Sequence, residues 1–339
     1  MSIYEENTLQ TQTAPTEKSR IPGIVCTKNG VLIAYCEKRH GEGGDWAVID
    51  IAMRRSFDGG KTWSEEKIIV RSGGHTVNNP LMIVSGDNTL HFIWCRDYER
   101  AFYQKSCDDG ESFAEPVEIT YVFEKFRPQF DWKCIAAGPG HGICLNDGRL
   151  VVPTWLALKK EHMPSVFAPI FSDDGGKTWQ SGKILFGGET LINPNETAAV
   201  RLSDSRVMFN IRNMAENHKR AAAVSGDVAS ELEYLGFDEN LTDAWCFASL
   251  VDCEYNRKHI IFFSNCKNET TDRYHLTIRF SDDDCKSWSE GIEIADWAGY
   301  SDICVKDGFL YCYFEYVENG DMSLKVKKIP ISDIVNQKC

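Results

Sequence analysis

Three arginines far apart in the chain sit at the edges of runs that read as β-strand: Arg20 in Ser19-Arg20-Ile21-Pro22, Arg212 in Asn210-Ile211-Arg212-Asn213, and Arg273 in Asp272-Arg273-Tyr274. A guanidinium is planar, keeps its charge and matches both oxygens of a carboxylate, so three of them converging would hold an organic acid. Taken singly, each reads as an ordinary surface arginine. Glu196, after Asn193-Pro194-Asn195, reads alone as a turn residue, and Tyr300, in Ala298-Gly299-Tyr300-Ser301-Asp302, as one half-buried tyrosine among 12. Asp45 ends the stretch Gly41-Glu42-Gly43-Gly44-Asp45, whose glycines suit a loop that moves over a ligand. Glu42 and Asp50 compete with it as the functional carboxylate of this stretch, although Asp50 falls within a strand.

The run Gly138-Pro139-Gly140-His141-Gly142 is interrupted by proline and followed by no Lys-Ser/Thr, so it is no phosphate loop. Its glycines fit a close backbone turn, with His141 a weak candidate for binding. Asn79, in Asn78-Asn79-Pro80, and Asp97 fit a cleft or plain turn chemistry equally. Trp132, Trp155 and Phe126 fit a pocket wall, or packing between strands.

Something must carry these residues to one place, and the chain declares it by repetition. SFDGGKTW from Ser56, SCDDGESF from Ser106, SDDGGKTW from Ser172 and SDDDCKSW from Ser281 are copies of one octamer. A decayed copy, SGDVASEL, starts at Ser225. Asp followed by Gly sets a tight hairpin turn with the carboxylate capping nearby N–H groups, and the final aromatic anchors the turn. Strand signals dominate between copies, as at Val31–Tyr35, Leu90–Cys95, Val207–Ile211 and Phe309–Tyr316, whereas only 331–335 suggests a helical turn. Five turns at roughly 50 to 65 residues suit four-stranded propeller blades. The class is therefore all-β, a β-propeller for which 339 residues allow about six blades.

No linker or charge block divides the chain, so residues 18–339 read as a single propeller behind an N-terminal extension, 1–17. That extension is polar, without the apolar core of a secretory signal, which points to the cytoplasm. The 13 cysteines lack C-x-x-C or zinc spacing and read as reduced, mostly buried thiols. A formal charge of −13 argues against nucleic acid and anionic membranes as partners, but not against a small anion in an arginine-lined cleft. Two N-x-[ST] sequons, at Asn195 and Asn268, read as unglycosylated in such a chain.

The octamer is the Asp-box, and with Arg20-Ile21-Pro22 it resembles the sialidase (neuraminidase) family over about residues 18 to 317. The boxes sit on outer turns in that family, so their aspartates imply structure. Function rests on the other matches, which fall in chain order. The resemblance implies that Arg20, Arg212 and Arg273 bind the sugar's carboxylate, with Arg39 flanking that site and Glu315 holding Arg20. It implies Tyr300 as nucleophile, Glu196 as the group that polarises it, and Asp45 as acid/base. Asn79, Asp97, Trp132, His141 and Trp155 would belong to the pocket, the tryptophans beside an N-acyl arm.

The implied reaction is retaining exo-α-sialidase hydrolysis of sialylated oligosaccharides or glycoconjugates, without metal or cofactor. A neutral phenol suits a reacting carbon that bears a carboxylate, because an anionic nucleophile would be repelled there. Transfer to a sugar hydroxyl, or hydrolysis of a related 2-keto-3-deoxy sugar acid such as KDN, uses the same clamp. A non-catalytic sialoside-binding propeller would need the clamp without Asp45, Glu196 and Tyr300. A propeller lyase would want a His/Tyr pair instead.

Overall fold

Alternating apolar and polar residues between Gly- and Asn-rich turns commit this chain to antiparallel strands. The computed structural model describes residues 4–11, 16–318 and 320–336, and apart from the short helices Tyr121–Glu124 and Ile331–Val335 its regular elements are strands. The all-β expectation holds. No described helix is long and apolar enough to cross a membrane.

The described strands form six sheets. One four-stranded meander runs through Glu17–Cys26, Leu32–His40, Ile49–Ser56 and Lys67–Val70; another runs through Thr197–Arg201, Val207–Ile211, Lys219–Ser225 and Glu233–Thr242. Val77–Val84, Leu90–Arg96, Arg100–Ser106 and Val117–Glu118 make a third, extended by Gly140–His141 in parallel with Val77–Val84. The apolar run Leu150-Val151-Val152-Pro153-Thr154-Trp155, which reads from the sequence as one strand, is split: Leu150–Val152 joins a four-stranded sheet and Thr154–Ala157 a three-stranded one, because Pro153 between them cannot donate to a ladder. The last sheet has seven strands, its 15-residue Ile292–Lys306 strand pairing with Tyr274–Ser281 over its first half and Phe309–Glu318 over its second. Residues set apart in the sequence as an extension supply Glu5–Thr11, which pairs antiparallel with Asp321–Pro330.

Each box serine, and Ser225 of the decayed copy, ends the third strand of a meander. In the first box the Ser56 hydroxyl accepts the Gly60 N–H at 2.9 Å, and Asp58 accepts the Thr62 N–H at 2.9 Å and its hydroxyl at 2.6 Å. The other three boxes repeat those bonds within 0.1 Å. Cys285 stands where the other boxes place glycine and takes φ 63°, a left-handed conformation that only glycine adopts without cost. The closing aromatics Trp63, Phe113, Trp179 and Trp288 pack into separate apolar clusters.

Three strands break register where the site residues lie: between Arg20 and Gly23, between Asn78 and Leu81, and between Ala298 and Ser301. Such bulges re-aim side chains that a regular strand would point elsewhere. Ile21 is held at φ 59° and Asn79 at φ 52° by these irregularities.

Below the cleft, Asp302 is fully buried and ties three sheets together. It accepts the Ile24 N–H at 2.8 Å, the Ser249 hydroxyl at 2.6 Å and His141 Nδ1–H at 2.8 Å. Burial disfavours the charged imidazole, but the Asp302 carboxylate outweighs it and raises the His141 pKa. Stability from this pair is therefore complete below about pH 6.5, the unfolded histidine's value, and is lost as pH rises through the higher folded value. His141→Gln should cost about 3 kcal/mol by leaving a buried carboxylate poorly paired. Its deficit in Tm against the parent should be wider at pH 6 than at pH 9 in thermal melts; an equal gap would deny the charged pair.

Candidate active site

Glu196 and Arg212 are brought together by their own strand pair. Glu196 immediately precedes Thr197–Arg201 and Arg212 immediately follows Val207–Ile211, and Arg212 N–H donates to the Glu196 carbonyl at 3.1 Å. Tyr300, on the bulged Ile292–Lys306 strand, reaches across to them. Its hydroxyl lies 2.6 Å and 2.7 Å from the two Glu196 carboxylate oxygens and accepts from Arg212 Nη1 at 2.7 Å. Arg212 Nη1 also donates to Glu196 Oε2. Burial drives the Tyr300 pKa up; Arg212 opposes this and Glu196 reinforces it, so the phenol stays neutral. A neutral phenol hydrogen-bonded to a carboxylate can lose its proton as it attacks.

The three predicted arginines converge on that tyrosine. The guanidinium carbons of Arg20, Arg212 and Arg273 lie 5.3, 6.0 and 5.2 Å from the Tyr300 ring centre. Arg20 is gripped at both ends of the Glu315 carboxylate, at 2.9 and 3.1 Å. Glu315 also accepts the backbone N–H of Ile21 at 3.1 Å and of Tyr300 at 3.0 Å, so one buried carboxylate sets the Arg20 and Tyr300 backbones together. A Cβ on Gly299 would fall 2.1 Å from Glu315 Oε2, which is why glycine precedes the tyrosine. Burial pushes the Glu315 pKa up, but Arg20 holds it below the ordinary carboxylate value. Arg273 Nη2 donates to the Trp245 carbonyl at 3.2 Å. Glu196 and Glu315 offset the repulsion of three close guanidiniums, and the clamp keeps a surplus of positive charge.

Asp45 stands in the loop between Leu32–His40 and Ile49–Ser56. Arg39 Nη1 donates to Asp45 Oδ1 at 2.7 Å, while Arg39 Nε bonds Glu37 at 2.8 Å and Glu37 accepts the Asn79 N–H at 2.8 Å. Burial raises the Asp45 pKa, yet Arg39, with help from Arg20, holds it below the ordinary aspartate value. The two rivals lie elsewhere. Asp50 accepts the Ser72 N–H at 2.6 Å, and exposed Glu42 does not line the cleft.

The cleft has a volume of about 270 Å³ and is lined by Arg20, Arg39, Asp45, Glu196, Arg212, Arg273 and Tyr300, together with Asn79 and Trp155. Four residues offered for the pocket lie outside this lining. Asp97 caps Thr76 N–H at 3.0 Å and pairs with exposed His75 at 2.8 Å. Trp132 is buried in a core cluster with its indole N–H on the Phe123 carbonyl at 2.9 Å, and Phe126 packs in the same cluster. His141 is occupied by Asp302. In each case the side chain is taken up by a turn cap, a core cluster or a buried ion pair, which no single-residue reading distinguishes from a cleft.

The lining also contains Tyr98, Asn195, Glu161, His162, Met163 and Met214, which the sequence reading missed. Tyr98, Trp155 and His162 form an aromatic wall with ring centres 4.4 to 6.1 Å apart. Trp155 Nε1 and His162 Nε2 are buried without a hydrogen-bond partner among the described residues. Glu37 had a usable signal: it lies two residues before Arg39 on a strand and so shares its face. The described residues hold one His–carboxylate group of metal-binding geometry, His275, Glu293 and Asp296, which is exposed and outside the lining.

The model of the BNR repeat-like domain matches residues 32–321. A sialidase of Bacteroides fragilis is 26% identical, over 93% of this chain and 62% of the relative. A sialidase of Micromonospora viridifaciens is 27% identical, over 79% of this chain and 45% of the relative. The chain thus spans about half to three fifths of the length of these curated relatives. Among solved structures, a Hadza microbial sialidase superposes with a TM-score of 0.80 at 23% identity, covering 93% of this chain and 66% of its own. Trypanosoma rangeli sialidase in complex with the inhibitor DANA gives 0.74 at 22%, covering 92% and 55%. At these identities the structures establish the fold.

Proposed function

The chain belongs to the BNR-repeat sialidase family, and from that premise we propose that it is a retaining exo-α-sialidase, built as a six-bladed β-propeller, that releases terminal α-ketosidic sialic acids from oligosaccharides or glycoconjugates. The observation that carries the reading is the Tyr300 hydroxyl 2.6 and 2.7 Å from the Glu196 oxygens within a cage of three arginines. A lectin would need the arginines alone.

Arg20, Arg212 and Arg273 clamp the C1 carboxylate and fix the anomeric carbon over the phenol. Tyr300 attacks as Glu196 takes its proton, while Asp45 protonates the departing oxygen and later activates water. Two inversions at one carbon give retention. Pairing with Arg39 keeps Asp45 ionised. An incoming carboxylate neutralises part of the arginine field, which raises the Asp45 pKa and lets it take up the proton that an acid must carry.

Release of 4-methylumbelliferone from its N-acetylneuraminic acid and KDN α-ketosides, with NMR of the product from sialyllactose, tests the reading. No release from either would sink it. An accumulating sialoside or 2,7-anhydro sugar in place of free α-sialic acid would move it to transfer. Arg273→Lys should raise KM about 10- to 100-fold with a smaller change in kcat, since one charge-assisted fork contributes about 1.5–3 kcal/mol. Unchanged affinity for a carboxylate inhibitor would remove Arg273 from the clamp.

A further inference from the structure

Next to the clamp lies a fully buried ion pair that the proposed reaction does not use. Arg220, on the Lys219–Ser225 strand, is 0% exposed, and Asp243, just after Glu233–Thr242, is 1% exposed. Arg220 Nη1 donates to Asp243 Oδ2 at 3.1 Å. A pair so buried adds little to stability, because desolvating two charges offsets most of their attraction. Burial lowers the Arg220 pKa even though Asp243 opposes it. The pair's distinctive property is a fork of directed bonds, and these run to the supports of two clamp arginines.

On one side Arg220 Nε donates to the Asn210 side-chain oxygen at 2.7 Å and Nη2 to the Asn210 carbonyl at 3.3 Å, two residues before Arg212. Asp243 Oδ2 accepts the N–H of Asn213, the residue after Arg212, at 3.2 Å. Arg212 is thus bracketed by the pair. On the other side Arg220 Nη1 donates to the Cys246 carbonyl at 2.9 Å, and Asp243 Oδ1 accepts the Cys246 N–H at 3.2 Å. The turn closed by these two bonds contains Trp245 at φ 49°, a left-handed conformation that a tryptophan keeps only where its surroundings impose it. Trp245 is the residue whose carbonyl takes Arg273 Nη2 at 3.2 Å.

We propose that Arg220 and Asp243 are positioning residues of the clamp, which fix the spacing of Arg212 and Arg273 so that both guanidiniums meet one carboxylate. Arg212 follows a strand of one four-stranded sheet and Arg273 precedes Tyr274–Ser281 of the seven-stranded sheet. Without a shared support, their separation would follow every shift between those sheets. The support has to be a planar fork. Lysine at position 220 keeps a charge opposite Asp243 but cannot also hold Asn210 and the Cys246 carbonyl. The Asp243 N–H still donates to the His218 carbonyl at 2.7 Å, so the loop is displaced and not released.

The effect on binding rests on the proposed reading of the cleft, whereas the geometric effect does not. Full chains carrying Arg220→Lys, or Asp243→Asn should that variant fail to fold, are compared with the parent by calorimetric titration with DANA, sialoside kinetics and thermal melts. Kd for DANA and KM should rise about tenfold or more, with a smaller change in kcat. In an Arg273→Lys background the same substitution should weaken DANA binding by a smaller factor, because one of the arginines it positions is gone. A lowered Tm with DANA affinity within about twofold of the parent's overturns the proposal, as do equal factors in the two backgrounds. If the parent neither binds DANA nor cleaves a ketoside, the functional reading falls and crystal structures of parent and variant decide the positioning role. Displaced Arg212 and Arg273 guanidiniums would uphold it, and superposition of both within about 0.5 Å would overturn it.

Discussion

Tyr300→Phe is expected to fold like the parent chain and to cleave an aryl sialoside about 10³-fold more slowly or worse, a loss of about 4 kcal/mol in the barrier. The substitution removes one oxygen. That oxygen is the proton donor to Glu196 and the acceptor from Arg212 Nη1. On the proposed mechanism no covalent sugar–enzyme bond would form without it, and water would have to attack a carbon whose own carboxylate repels nucleophiles. The ring stays, still packed against Phe247 at 5.9 Å between centres and beneath three guanidiniums. Binding of a carboxylate inhibitor should therefore change less than threefold. Steady-state kinetics with an inhibitor titration separate the two effects, and turnover within tenfold of the parent would take the nucleophile's role away from Tyr300. A mass increment from a fluorinated sialosyl probe, present on the parent and absent from the variant, would place the bond on this residue.

Asp45→Ala should lose activity in a pattern set by the leaving group. General acid catalysis contributes about 10²- to 10⁴-fold where the departing oxygen is a poor leaving group. Sialyllactose should fall by that amount, whereas a 4-methylumbelliferyl ketoside, whose phenolate leaves unaided, should fall by less than about tenfold. Arg39 complicates a simple null, because its Nη1 loses a partner at 2.7 Å while Glu37 keeps its hold at 2.8 Å. Asp45→Asn keeps an acceptor for Arg39 and so separates lost acid from a disturbed arginine. Equal losses on the two substrates in both variants would mean that Asp45 positions the substrate without protonating it. Hydrazoate rescue of Asp45→Ala on the aryl substrate, through attack by the small anion, would support its second role as base for water.

The repeated octamers made the architecture legible because each box is a closed local unit. Ser56, Asp58, Gly60 and Thr62 satisfy one another within seven residues, so the pattern survives in sequence as it does in space. The all-β class and the turns followed from that. The strand Glu5–Thr11 was not legible, because it is defined by a partner over 300 residues away, Asp321–Pro330. The division at Pro153 was equally hidden, since a single apolar run feeds two sheets there. Glu315 and Arg20, 295 residues apart, could be joined only through the family resemblance.

For the site, the family resemblance, carried by residue types in chain order, nominated the arginines, Glu196, Tyr300 and Asp45, which taken singly read as surface, turn or interface residues. Their meeting was decided by bulges at Arg20–Gly23 and Ala298–Ser301, which turn side chains inward against the strand's own alternation. Apolar and aromatic wall residues such as Tyr98, Met163 and Met214 carried no such signature, since any of them serves equally well in a core. The sequence by itself thus determined the chemistry on offer and the repeat that arrays it. Only the tertiary structure decided which of the chain's many carboxylates, imidazoles and tryptophans face the cleft, because that depends on register shifts and long-range pairings that no local pattern encodes.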